Sequence, residues 1–286
     1  YIVKNRLSTT NDLSYSKDTS TGELTLIASN FEIRGQSDVA HNLIISGKSN
    51  SIYGGDLADT IEELNSNCSN NYIYGGAGND TIILRGGSIA YGEEGDDIFI
   101  AYSGVCYGGI GNDTITRYGG SGVSYGGEGD DVFNIYSSNA KYFGEEGNDT
   151  FNIIGSLSGI VIDGGSGTNN VTGEVGSNTT INVVGANSGV VSLVKGVEQK
   201  ATINGIDYTM SATLSSAEVI YKLDTSGQIT FTVNSGSAII KGDVNQKHNV
   251  YINSTRLTFY GGDKGDTIDG IGVIYCGKGN NTITTQ

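Results

Sequence analysis

Proline and tryptophan are absent from these 286 residues, and methionine occurs once. A chain without proline suits an unbroken ladder of backbone hydrogen bonds, because proline brings no N–H and is confined to edges and bulges. Cysteine is scarce. Cys68, Cys106 and Cys276 form no CxxC pair and no disulfide framework, and their odd number leaves at least one thiol unpaired. Nothing beside them in sequence would activate a thiolate, so they read as buried or idle. Basic residues are outnumbered, 16 Lys and Arg against 31 Asp and Glu, for a net charge of −15. That balance argues against nucleic acid and anionic membranes as partners. No apolar run approaches the roughly 20 residues that cross a bilayer, so no membrane span is expected. The first residue, Tyr1, is not followed by a basic-then-apolar leader, which reads as a mature, processed or excised chain. No Gly-x-Ser-x-Gly elbow occurs and neither histidine joins a cysteine cluster, so no catalytic constellation is expected and the chain reads as non-enzymatic.

What is abundant is glycine, 45 residues of it, and it is periodic. A loop reads Tyr74-Gly75-Gly76-Ala77-Gly78-Asn79-Asp80-Thr81-Ile82 and returns at Tyr91 to Phe99, Tyr107 to Ile115, Tyr125 to Phe133 and Phe143 to Phe151. A looser copy spans Tyr53 to Ile61, and a decayed one carries Gly164, Gly165, Gly167 and Asn169. The sixth-position residues are Asp59, Asp80, Asp97, Asp113, Asp131, Asp149 and Asn169, at spacings of 21, 17, 16, 18, 18 and 20. Seven loops in near-constant register are a repeat architecture. A short β-branched and aromatic run precedes each loop and another follows it, and side chains two apart share a face. The residue two after the Asp is always apolar, from Ile61 through Ile82, Phe99, Ile115, Phe133 and Phe151 to Val171. Two further on, Leu84, Ile135 and Ile153 continue that face, while Glu63 and Arg117 break it. Two strands and two turns per coil predict an all-β parallel β-roll, or β-solenoid, with a thin core.

One Ile or Phe per coil contributes roughly 1.5–3 kcal/mol on burial. That is too little for a glycine-rich coil whose ordering costs ~1–2 kcal/mol per residue. The loops offer a clamp. Glycines let carbonyl oxygens turn inward, the Asp adds a carboxylate, and Ca²⁺ takes six to eight hard oxygens in flexible geometry. One loop cannot fill that shell, but two stacked loops can. The expected sites lie between Asp80 and Asp97, Asp97 and Asp113, Asp113 and Asp131, and Asp131 and Asp149. Asp59/Asp80 is expected to be weaker, since its first loop lacks the fourth glycine, and Asp149/Asn169 to be terminal or empty. The contributing glycines are Gly75, Gly76 and Gly78; Gly92 and Gly95; Gly108, Gly109 and Gly111; Gly126, Gly127 and Gly129; and Gly144 and Gly147.

The pattern G-G-x-G-x-D-x-U-x in these loops resembles the RTX, or haemolysin-type, calcium-binding nonapeptide repeat. Five consecutive loops match at most positions, with Glu93 and Glu145 in place of the second glycine, and the likeness covers roughly residues 40–172 and 260–283. The resemblance implies a right-handed parallel β-roll, type I secretion, and folding when calcium is met outside the cell. This chain departs from the family in one respect: alternate turns lack the Asp, so the calcium row is expected on one edge only.

A long-range copy begins near residue 221. Ile33-Arg34-Gly35, His41-Asn42-Leu43, Tyr53-Gly54-Gly55-Asp56 and Asp59-Thr60-Ile61 reappear 207 residues later as Ile240-Lys241-Gly242, His248-Asn249-Val250, Tyr260-Gly261-Gly262-Asp263 and Asp266-Thr267-Ile268. Upstream, Tyr15, Asp18, Gly22, Leu24 and Leu26 match Tyr221, Asp224, Gly227, Ile229 and Phe231. Equivalent positions in two caps give both histidines a structural role, and Asp266 joins the calcium candidates. Residues 1–32 therefore read as a β-rich cap, 33–172 as a calcium roll, 173–236 as a β-rich spacer and 237–286 as the start of a second roll. Within the spacer, Thr202 to Tyr208 signals a hairpin, and Ser215-Ser216-Ala217-Glu218 a short helix cap. The second roll reaches only two loops, which suggests a piece of a longer tandem array. The expected function is a secreted or bacterial cell-surface structural or adhesive module that folds on Ca²⁺. Its other partners would be a host or neighbouring-cell ligand, or further copies of the array. The alternative is a non-catalytic accessory region of a secreted enzyme or pore-forming toxin.

Overall fold

The structure is a computed structural model that describes residues 1–5, 13–21, 23–175, 180–182, 187–194, 198–203, 205–214, 216–224 and 226–285. Among these residues every regular element is a β-strand and none is a helix. The fold is a parallel β-solenoid, as the loop periodicity predicts, and it divides into two compact units, Tyr1–Gly147 and Asn148–Gln286.

In the first unit the strands before the loops build one parallel sheet, in the order Phe31–Arg34, Ser51–Gly55, Ser69–Ala77, Gly87–Glu94, Val105–Ile110, Val123–Glu128 and Lys141–Glu146. The strands after the loops build the other, from Leu24–Ile27 and Asn42–Ser46 through Thr60–Glu63, Thr81–Leu84, Ile98–Ala101 and Thr114–Arg117 to Val132–Ile135. Register is unbroken where it matters: Ile61, Ile82, Phe99, Ile115 and Phe133 are successive cross-strand partners. All five are buried to within 1 % and form the inward stripe. Antiparallel strands Ile2–Asn5 and Ser14–Lys17 pair with the first strand of each sheet.

The inward stripe is not broken at Glu63 and Arg117, contrary to the reading from charge. Both are fully buried, and each carries its own set of partners. Glu63 accepts from the main-chain N–H of Arg85 and Gly86, from Asn71 Nδ2 and from Ser88 Oγ. Arg117 donates to Ser124 Oγ and to the carbonyls of Gly104 and Val123. A buried charge is tolerated only when such hydrogen bonds replace its water.

In the second unit Thr150–Leu157 and Asn170–Val175 are parallel. The spacer then turns antiparallel: Asn187–Val194 pairs with Ser216–Leu223, Gln199–Ile203 with Ile206–Ala212, and Ser216–Leu223 with Ile229–Ser235. The expected hairpin is present, closing at Ile203 and Ile206. The expected helix is not; Ser215 lies outside the described residues, and from Ser216 the chain is strand. The β-branched and aromatic run Val219-Ile220-Tyr221 overrides a capping pattern. Parallel stacking resumes at Asn249–Tyr260, followed by Thr267–Tyr275 and Thr282–Thr285. The duplicated cap pairs alike in both copies, Tyr15 with Leu26 and Tyr221 with Phe231.

Candidate metal centre

The sixth-position carboxylates point into the coil. Asp59, Asp80, Asp97, Asp113 and Asp131 are each no more than 2 % exposed. One oxygen of each is used in the same way: the Asp59 N–H donates to Asp80 Oδ1, that of Asp80 to Asp97 Oδ1 and that of Asp97 to Asp113 Oδ1, all at 2.7 Å. The Asp113 N–H reaches Asp131 Oδ1 at 2.8 Å. The Asp59/Asp80 step shares this main-chain bond with the rest.

The second oxygen is used differently. Oδ2 of Asp59, Asp80, Asp97 and Asp113 is buried and has no hydrogen-bond partner. It lies over the first glycine of its own loop, where a β-carbon would stand 2.2 Å from it at Gly54, 2.1 Å at Gly75, 1.9 Å at Gly92 and 2.1 Å at Gly108. The carbonyl oxygen of the next coil's first glycine crowds the same space, at 2.3, 2.8, 2.5 and 2.4 Å. The first glycine is thus required by the carboxylate. The fourth is required by the backbone, with φ of 132° at Gly95 and 139° at Gly111. Glu93 and Glu145 take a left-handed φ of 81° and 77° at the second position, where Gly76, Gly109 and Gly127 stand in other loops.

Burial raises the pKa of Asp59 above the ordinary carboxylate value. It pushes those of Asp80, Asp97 and Asp113 up to about 7, 6 and 8, and at Asp113 the charges of Asp131 and Asp97 add to it. Such groups favour a neutralising partner. Among the described residues no three His, Cys, Asp or Glu side chains converge on one point. A cation here would therefore take one or two carboxylates and complete its shell from loop carbonyls. Carboxylate and carbonyl oxygens are the hard donors that Ca²⁺ prefers, and the unpartnered Oδ2 atoms fit that donor set.

Both histidines belong to the row. The His41 N–H donates to Asp59 Oδ1 at 2.6 Å, and its Nδ1 lies 3.0 Å from the same oxygen. Its Nε2 accepts from the Gln36 N–H, which leaves the ring proton on Nδ1. His248 repeats the arrangement on Asp266, at 3.0 and 2.9 Å. Each histidine occupies the rung before the first Asp, 18 residues ahead. Asn residues stand at the other side: Asp149 N–H donates to Asn169 Oδ1 at 2.7 Å, and Asp266 N–H to Asn281 Oδ1 at 2.8 Å. Asp266 differs from the first-unit carboxylates because its Oδ2 accepts from the Gly262 N–H at 2.9 Å.

A second, exposed row occupies the fifth position and runs the opposite way. Asp96 N–H donates to Asn79 Oδ1, Asn112 N–H to Asp96 Oδ1 and Asp130 N–H to Asn112 Oδ1, at 3.1, 2.7 and 2.8 Å. On the outer face Tyr53, Tyr74, Tyr91, Tyr107, Tyr125 and Phe143 stack in one line with centroids 4.6–5.0 Å apart, and the Arg34 guanidinium sits 3.8 Å over Tyr53. A groove of about 650 Å³ lies over Tyr53 and Tyr74, flanked by Arg34 and Glu93. The ring faces cover one another, so the tyrosines offer the groove edges and hydroxyls beside the charged groups of Arg34, Asp56 and Glu93. Among the cysteines, Cys106 is fully buried and burial pushes its thiol up to about 11, in keeping with an inert role.

Fold and site together define a parallel β-solenoid threaded by a row of buried carboxylates. Comparison with family models, with curated proteins and with solved structures finds no match to this chain.

Proposed function

We propose that this chain is a calcium-binding structural or adhesive repeat module that acts outside the cell, where free calcium is abundant. The reading is carried by one observation: four buried carboxylate oxygens in successive coils, on Asp59, Asp80, Asp97 and Asp113, have no partner. Leaving a charged oxygen buried and unpaired costs several kcal/mol each, so above the pH at which protons neutralise the row, a bound cation is the partner that suits it. These carboxylates and the carbonyls of their loops would hold the ion. Bound there, Ca²⁺ supplies positive charge and hard-oxygen coordination between otherwise repelling groups. The protein's own residues do the rest: glycines open the space, the Oδ1 bonds fix each carboxylate to the preceding coil, and His41 closes the row. The likeness of the loops to RTX repeats supports the same reading, and the duplication after residue 221 supports a tandem module over the accessory region of a larger enzyme or toxin.

Because metal binding of this kind is coupled to folding, the test is circular dichroism and thermal unfolding in EDTA and then in millimolar calcium. Loss of the β spectrum, or a lower Tm, in EDTA is expected, with recovery on adding calcium. An identical spectrum and Tm in both would refute the proposal.

A further inference from the structure

We infer that the sixth-position side chain decides, coil by coil, whether a rung is held by a cation or holds itself: an Asp whose Oδ2 meets no donor makes it cation-held, and Asn makes it self-sufficient. The inference rests on the calcium reading above and adds to it which rungs take the ion and what replaces it.

The two residue types place their end atoms alike. In both, Oδ1 accepts the N–H of the preceding rung, as Asp97 does from Asp80 and Asn169 from Asp149. In both, the other end atom lies over the glycine five residues back, with a β-carbon on Gly92 standing 1.9 Å from Asp97 Oδ2 and one on Gly164 standing 2.6 Å from Asn169 Nδ2. What differs is chemistry. Asn169 Nδ2 donates to the carbonyl of that same Gly164 at 2.9 Å. Asn281, at a part-exposed rung with Cys276 five residues back, instead donates to the Gly277 carbonyl, four back, at 3.0 Å. At both Asn rungs a carbonyl of the loop meets the amide. At Asp59, Asp80, Asp97 and Asp113 the end atom is an acceptor, buried and unpartnered. Once these carboxyls are deprotonated, two acceptors without a donor need a cation between them, and a divalent ion bound by hard oxygens supplies what the Asn amide supplies at its own rung. Asp266 is the exception that follows the same rule: the Gly262 N–H already satisfies its Oδ2, so its rung needs no ion.

The test is a triple variant, Asp80→Asn with Asp97→Asn and Asp113→Asn, melted beside the unaltered chain at pH 8.5 in EDTA and in 1 mM Ca²⁺. In EDTA the variant is expected to melt roughly 5–10 °C above the unaltered chain, from three new buried hydrogen bonds, and to gain less from calcium. A variant that melts at or below the unaltered chain in EDTA, or fails to fold there, overturns the inference. The matching triple Ala variant, which also loses the Oδ1 acceptors, is expected to melt below both; if it matches the Asn variant, the gain comes from removing charge alone and the inference is again overturned. Failure of the calcium reading is separable, because it shows as an unaltered chain whose Tm calcium does not move.

Discussion

Replacing Gly92 with alanine should destabilise the first unit far more than an ordinary glycine-to-alanine change. Gly92 lies outside the left-handed region, so its backbone accepts alanine; the obstacle is space. The new β-carbon would stand 1.9 Å from Asp97 Oδ2 and 2.5 Å from the Gly108 carbonyl. Neither contact is possible, and the backbone oxygen is fixed by the sheet, so the carboxylate must withdraw. Forcing a methyl into a packed site costs about 1–3 kcal/mol. Withdrawal also takes Asp97 Oδ1 from the Asp80 N–H, a 2.7 Å bond to a buried donor, for about 1–3 kcal/mol more. The expected loss is therefore about 2–6 kcal/mol, read as a lower urea midpoint at unchanged slope. Gly87→Ala is the control, because a β-carbon there meets nothing within 4 Å; it should be neutral or stabilising by up to about 1 kcal/mol. Equal midpoints for the two variants would refute the reasoning.

Three further outcomes are expected. In EDTA the Tm should fall as pH rises from 5 toward 8 and then level off: the raised pKa values of Asp80, Asp97 and Asp113 mean that folding favours their protonated forms, and that stability is lost progressively above the ordinary value of 3.8 until pH has passed about 6 to 8. A Tm that is flat or rises over this range in EDTA contradicts it. Glu63→Gln should cost about 2–4 kcal/mol, since an amide cannot accept from the Arg85 and Gly86 N–H groups and from Asn71 and Ser88 together; chemical denaturation checks this, and a change under 1 kcal/mol would count against the buried network. Tyr91→Ala removes stacking on Tyr74 and Tyr107, at 5.0 and 4.9 Å, and should cost about 1–3 kcal/mol. An unchanged urea midpoint would show that the ring line contributes nothing.

The fold was legible where the pattern is local and repeated. The loop spacing and the apolar residue two after each Asp identify the coil, and residues matched between the two copies pair alike, Tyr15 with Leu26 and Tyr221 with Phe231. Glu63 and Arg117 were misread because alternation points them inward while charge points them outward, and the groups that settle the matter lie on other strands. The inward aim of the Asp row is likewise non-local, fixed by N–H groups one coil away. Two features had a signal in the sequence. His41 and His248 precede Asp59 and Asp266 by 18 residues, one coil length, which marks them as rungs. The fifth position is Asn79, Asp96, Asn112 and Asp130 in turn, and a residue type that accepts main-chain hydrogen bonds at every coil implies the exposed row.

Whether calcium holds the buried carboxylates is read directly by anomalous diffraction from crystals grown with Ca²⁺. Calcium peaks are expected about 2.3–2.6 Å from Oδ2 of Asp80, Asp97 and Asp113, and none at Asn169 or Asn281. A map without peaks at those three carboxylates, in crystals soaked at millimolar calcium, would contradict calcium binding there.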